Sequence, residues 1–246
     1  HPAFASPRAA MLGAMREALG APALVLAASY LGFGSLARSS ELTLGMALTS
    51  TATGWALPGQ IALVELYAVG ASLLSTALAV SLTNVRLLPM TLAMMPFLRS
   101  PGRPRWHYWV AAHWVAVTVW VHTQRRAPDL PLDQRLPFFI GFALVLWGVT
   151  LTTTAIGFIL AGAVPAYVSL GLVFLNPIYF MLVFAADARE RDRTRAWAMA
   201  LGAVLGPALH TLDPDWGLLA TGVIAGTAAF AGDRWLSRRR GRAAHG

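Results

Sequence analysis

Few residues in this chain are equipped for chemistry, and most of them interrupt apolar runs. Gln60 follows Pro58-Gly59 in an otherwise aliphatic stretch. Its amide suits a ligand's carboxylate or ammonium, or the carbonyls that a Pro-Gly interruption releases. Glu65 lies five positions on, about one and a half helical turns away. It is the only carboxylate between Glu41 and Asp129. In hydrocarbon such a group is held protonated by desolvation, the property that proton coupling requires; an ion pair or an interfacial position are the plainer readings. Asn84-Val85-Arg86 forms the next polar island, where Arg86 would grip a carboxylate with two prongs, pair with Glu65, or snorkel to the interface. Asn176 stands before Pro177 and marks a second interruption. Thr49-Ser50-Thr51 and Thr152-Thr153-Thr154 add hydroxyls that bond back to their own helix, bridge helices, or line a pathway.

Catalytic signatures are missing. There is no Gly-x-Ser-x-Gly elbow, no His-Glu-x-x-His pair, and no lysine for a phosphate loop. The six histidines form no i,i+4 pair, so spacing points to no metal site, and no cofactor is implied. Apolar residues make up 57% of the 246 and charged ones 12%, more apolar surface than a soluble fold of this size can bury. The absence of cysteine excludes a disulfide scaffold. A net charge of +8 invites a nucleic-acid reading, but every basic residue is an arginine and most cluster between apolar runs, as loops of a membrane protein require. No nucleic-acid partner is expected; the bilayer is.

The elements that position these residues are apolar helices. The expected fold is all-α, a polytopic membrane bundle with discontinuous helices and an internal repeat. Apolar runs lie at about 22–37, 42–57, 61–82, 87–98, 106–121, 138–162, 166–186, 196–212 and 216–235. Residues 136–186 carry no charge or histidine and hold two passes. Pro58-Gly59 and Asn176-Pro177 read as breaks in corresponding positions, each after a Gly-Phe segment (Gly32-Phe33 and Gly157-Phe158), which is the pattern of a secondary transporter built from two half-repeats. The halves fall at 17–122 and 136–236 within one transmembrane domain spanning 1–246. Residues 1–16 and 237–246 form polar tails. Arginines flanking an acidic turn at Asp213–Asp215 place the C-terminus in the cytoplasm, with roughly eight crossings. Trp106, Trp109, Trp216 and Trp235 look like interfacial anchors, whereas Trp55 and Trp147 fall deeper, where packing is the expected role.

The order of these features resembles the AzlC family of membrane permeases. Three blocks carry the likeness: Leu31-Gly-Phe-Gly-Ser-Leu-Ala37 leading to Leu57-Pro-Gly-Gln60; Thr83-Asn-Val-Arg86; and Trp147-Gly148 through Gly157-Phe158 to Gly171-Leu-Val-Phe174 and Pro177. The resemblance implies export of valine, leucine, isoleucine or related small hydrophobic amino acids across the bacterial cytoplasmic membrane, with a small hydrophobic subunit of the AzlD type as partner. It places Gln60, Asn84 and Arg86 at the family's polar positions and Pro177 at its second break. The chain departs from the pattern at Pro58, Leu87 and Val173. Where the family usually carries an acidic pair, Ala111-Ala112-His113-Trp114 offers only a histidine, so coupling would fall to Glu65 or His113.

The sequence therefore favours a transporter over an enzyme, with a substrate site built from Pro58, Gly59, Gln60, Asn84, Arg86, Asn176 and Pro177. A non-catalytic assembly subunit is the alternative. A lipid-acting membrane enzyme is disfavoured because the apolar runs hold too few acids and histidines.

Overall fold

A computed structural model describes residues 4–161, 163, 165–190, 193–212 and 217–243. These residues are helical and contain no β-strand. The helices are α1 (Pro7–Ala18), α2 (Ala21–Ser39), α3 (Leu44–Gly54), α4 (Leu57–Ala68), α5 (Leu73–Asn84), α6 (Leu87–Leu98), α7 (Trp106–Ala112), α8 (Val117–Arg126), α9 (Leu132–Leu160), α10 (Ala166–Glu190), α11 (Arg193–Leu212) and α12 (Gly217–Ala243). The chain divides into two compact units, His1–Asn176 and Pro177–Gly246. The second contains the packed pair α11 and α12.

In the first unit α9 is the central element, with α1, α2 and α3 packed along it. Glycines set the distance. A Cβ on Gly157 would stand 2.8 Å from the Leu31 carbonyl carbon and closer still to its oxygen. One on Gly34 would meet the Thr154 carbonyl and come within 2.8 Å of the Phe158 nitrogen. The backbones of α2 and α9 therefore touch directly, as small-residue contacts allow in membranes. Gly32 does the same for α10, 2.5 Å from the Ser169 carbonyl oxygen, and Ser169 donates a 2.8 Å hydrogen bond to Ser35 beside it. Phe33, Phe138, Phe139, Phe142 and Leu146 fill the core around these contacts.

Helix α1 lies on α9 through a face of small side chains. Ala10, Ala14 and Ala18 recur every four residues and are fully buried, and Gly141 of α9 admits the Met11 carbonyl. Ser6 caps the helix by accepting from the Ala9 N–H at 3.2 Å, with Pro7 in the first turn. Ahead of it, Phe4 exchanges two hydrogen bonds with the Gln134 amide, at 3.2 and 2.8 Å.

The breaks fall elsewhere than the composition suggests. Pro58 and Gly59 do not interrupt a helix; they open α4, where a proline's missing N–H costs nothing, and the interruption lies at Trp55-Ala56. The run 61–82 is itself cut at Val69–Ser72, where Gly70 takes a φ of +70° and Ser72 caps α5. The expected break at Asn176-Pro177 is absent, since α10 continues through Pro177. Its start is fixed instead by Pro165, whose carbonyl accepts from Val168 and Ser169.

Of the roughly eight crossings expected from apolar length, α9 alone among the described helices is long and apolar enough to cross a membrane. The pairs α1 with α2, bent by 56°, and α5 with α6, bent by 47°, qualify if each is one span. Twelve residues rise only about 18 Å, short of a hydrocarbon core of about 30 Å, so the cuts reduce what a run of apolar residues can span.

Candidate functional site

The break between α3 and α4 gathers a connected set of polar side chains, among them the buried Thr51, Gln60, Thr150 and Thr154. Helix α3 ends on Trp55, whose φ of 21° puts a bulky residue in the left-handed region, a strain of about 1–3 kcal/mol. Burial and hydrogen bonding hold it there. The Trp55 indole donates to the Thr150 hydroxyl at 3.0 Å, and Thr150 donates to the Trp147 carbonyl at 2.9 Å. The Ala52 carbonyl, one of those left open at the end of α3, accepts from two rings: His113 Nε2–H at 2.9 Å and Trp147 Nε1–H at 3.3 Å. A carbonyl only accepts, so this contact fixes the His113 tautomer with its proton on Nε2.

Across the break, Gln60 is 3% exposed in the first turn of α4. Its Nε2 donates to Ser50 at 3.1 Å and to Thr51 at 2.9 Å. Ser50 spends its own proton on the Ala47 carbonyl at 2.8 Å, so its oxygen can only accept. That settles the amide orientation and leaves Oε1 as the end of Gln60 without a partner, buried. Thr51 continues the chain of bonds to Thr154 of α9 at 3.2 Å. Next to Gln60, Gly59 is pressed against the Asn84 amide, where a Cβ would stand 2.5 Å from both terminal atoms. The Asn84 Oδ1 is also buried without a partner. An unpaired buried carbonyl costs about 1–3 kcal/mol, which a donor on a ligand would return. Helix α4 has no side-chain cap and no acid in its first turn, and Pro58 lacks an N–H, so Leu57 and Gly59 are the first-turn residues whose N–H groups have no intrahelical acceptor.

The structure thus brings together Pro58, Gly59, Gln60 and Asn84, with His113 reaching the same break from α7. It separates others. Arg86, at the start of α6, is exposed and forms no ion pair with Glu65, which is exposed on α4. Pro177 is exposed within α10, and the Asn176 side chain lies outside the described set. Among the described residues no group of three or more His, Cys, Asp or Glu residues is placed to hold a metal ion.

Against known proteins, the AzlC family model, described as AzlC protein, matches residues 22–164, more than half of the chain. The chain belongs to the AzlC family. AzlC proteins are membrane transport components, associated with branched-chain amino acids, and the matched residues run from α2 through α9 and contain the whole α3/α4 break. No curated protein and no solved structure matches.

Two parts of this AzlC chain were not legible as sites. Trp55 and Trp147 look like packing residues in sequence, yet both donate at the break; the indole after a helix-ending Gly54 was the available signal. The other is a charged cluster at α1 and α8. Glu17 accepts from His122 at 3.1 Å and from Arg126 at 3.0 Å, while Arg126 also faces Asp129 at 3.8 Å. The Arg126 guanidinium lies over Phe4 and Phe138, and the His122 ring stacks on Phe142 at 4.2 Å. Burial holds the His122 pKa below its ordinary value, helped by the charges of Arg126 and Arg125 and opposed by Glu17. The i,i+4 spacing of His122 and Arg126 was visible; their shared carboxylate, 105 residues away from the histidine, was not.

Proposed function

We propose that this chain is a secondary transporter that exports branched-chain or related small amino acids, using the α3/α4 break as its substrate site. The observation that carries this reading is the break itself: two helix ends and the side chains of Gln60 and Asn84 present unpaired polarity inside an apolar unit. The open N–H groups of α4 suit a carboxylate. An apolar surround offers the side chain little beyond size, and a methylene is worth only about 1–3 kcal/mol, so selectivity among aliphatic amino acids is weak. A small hydrophobic subunit of the AzlD type completes the transporter in the bacterial cytoplasmic membrane, with the C-terminus inside.

The deciding experiment is efflux of labelled leucine, isoleucine and valine from proteoliposomes, with and without a proton gradient and with the small subunit present or absent. Gradient-dependent efflux supports the reading. Co-purification of the two subunits with no amino-acid flux under any condition replaces it with an assembly role. Coupling is assigned to His113 or Glu65, and an unchanged pH dependence of flux in both Glu65→Gln and His113→Ala removes that assignment.

A further inference from the structure

The unpaired oxygens at the break identify which end of a ligand they hold. Gln60 cannot turn its amide around, because Ser50 has no proton left to give it. What Gln60 offers is therefore an acceptor, Oε1, on a side chain that is 97% buried and fixed to α3 through Ser50 and Thr51. The Oδ1 of Asn84, the last residue of α5, whose amide lies against Gly59 beside Gln60, is a second buried acceptor without a partner. Helix α3 ends at the same place with no basic residue in its last turn, and the His113 and Trp147 ring N–H groups on its Ala52 carbonyl offset only part of the negative end of its dipole. Acceptors and a negative helix end call for a cation with hydrogens to donate. Anions are served elsewhere, at the uncapped start of α4.

We infer that Gln60 Oε1 and Asn84 Oδ1 are the acceptors for a primary ammonium group, so that the ligand lies across the break with its ammonium toward the end of α3 and its carboxylate toward the start of α4. This rests on the transport reading for the identity of the ligand as an amino acid, but the ammonium assignment is testable without flux. A bare sodium ion presents the same demand to two carbonyl oxygens, and the experiment separates the two.

The full chain, reconstituted in lipid nanodiscs, is titrated with leucine, 3-methylbutylamine and 4-methylpentanoate, the last two lacking the carboxylate and the ammonium respectively, in sodium and in choline buffers. Leucine and the amine are expected to bind and compete, with the acid at least tenfold weaker, and the pattern is the same in both buffers. Gln60→Leu weakens leucine and the amine at least tenfold. Since that change also removes the bonds to Ser50 and Thr51, Asn84→Asp is the second variant: it keeps the oxygen and adds a charge, and the amine binds more tightly than to the parent. A merely structural Asn84 gives no such gain. The inference is overturned if the acid competes as well as leucine, if binding vanishes in choline, or if Asn84→Asp leaves amine affinity unchanged in a folded protein. Amine binding without leucine binding or efflux leaves the ammonium site standing and removes the amino-acid transporter.

Discussion

Replacing Gly157 by alanine tests whether the contact between α2 and α9 is as close as the structure has it. The new Cβ would stand 2.8 Å from the Leu31 carbonyl carbon and 2.9 Å from its Cα, where ordinary contact begins near 3.4 Å. The neighbour is backbone, which has no rotamer to escape into. The two helices must separate by roughly 0.6 Å or more, and overpacking of this kind costs about 1–3 kcal/mol. Gly148, on the same helix, has nothing within 4 Å of its added Cβ. There alanine should stabilise by about 0.5–1 kcal/mol through its better helix propensity. The two substitutions are chemically identical, so propensity cancels in the comparison and packing remains. Thermal unfolding in one detergent, scored against the parent, should show Gly157→Ala melting lower by about 3 °C or more and Gly148→Ala level or higher. Equal shifts in the same direction would refute the direct backbone contact, and with it the placement of Thr154 against Thr51.

Two further outcomes follow from the polar clusters. His122 is held neutral by burial, its folded pKa lying below its ordinary 6.5; the unfolded chain therefore binds more protons as pH falls, so stability is complete above about 6.5 and declines below it. Melting curves between pH 5 and 8 should show that decline, and His122→Gln should flatten it; an unchanged slope would assign the dependence to another group. Trp55→Phe, which removes the indole donor to Thr150 and leaves a smaller ring in a buried place, should cost more than the roughly 1 kcal/mol of the bond alone, and Thr150→Val should add little once Trp55 is already Phe. Full additivity in that double-mutant cycle, measured by denaturant unfolding, would mean that the bond contributes nothing at the break.

The helical class and the polar residues of the α3/α4 break were readable from composition and from Gln60 standing among aliphatics. The position of the break was not. Among aliphatics Pro58 reads as an interruption, but a proline in the first turn is a start signal, and the stop comes at Trp55, a residue type with no such preference. Pro177 misled in the opposite sense, since a proline inside an apolar helix need not end it. Pairing with Glu65 is one of three roles the sequence leaves open for Arg86, and the fold leaves both exposed and without a mutual ion pair. Glu17 with His122 joins α1 to α8, and no local spacing reports a contact between elements that distant.

The alanine face of α1 has a mechanical corollary. Methyl groups interlock poorly, so Ala10, Ala14 and Ala18 resist lateral separation from α9 far more than displacement along its axis. Register is then held at both ends, on α9 itself by the Phe4 clamp on Gln134 and, by way of α8, by the Glu17 anchor on His122 and Arg126. Releasing both would turn the first helix from a fixed strut into a low-friction slide.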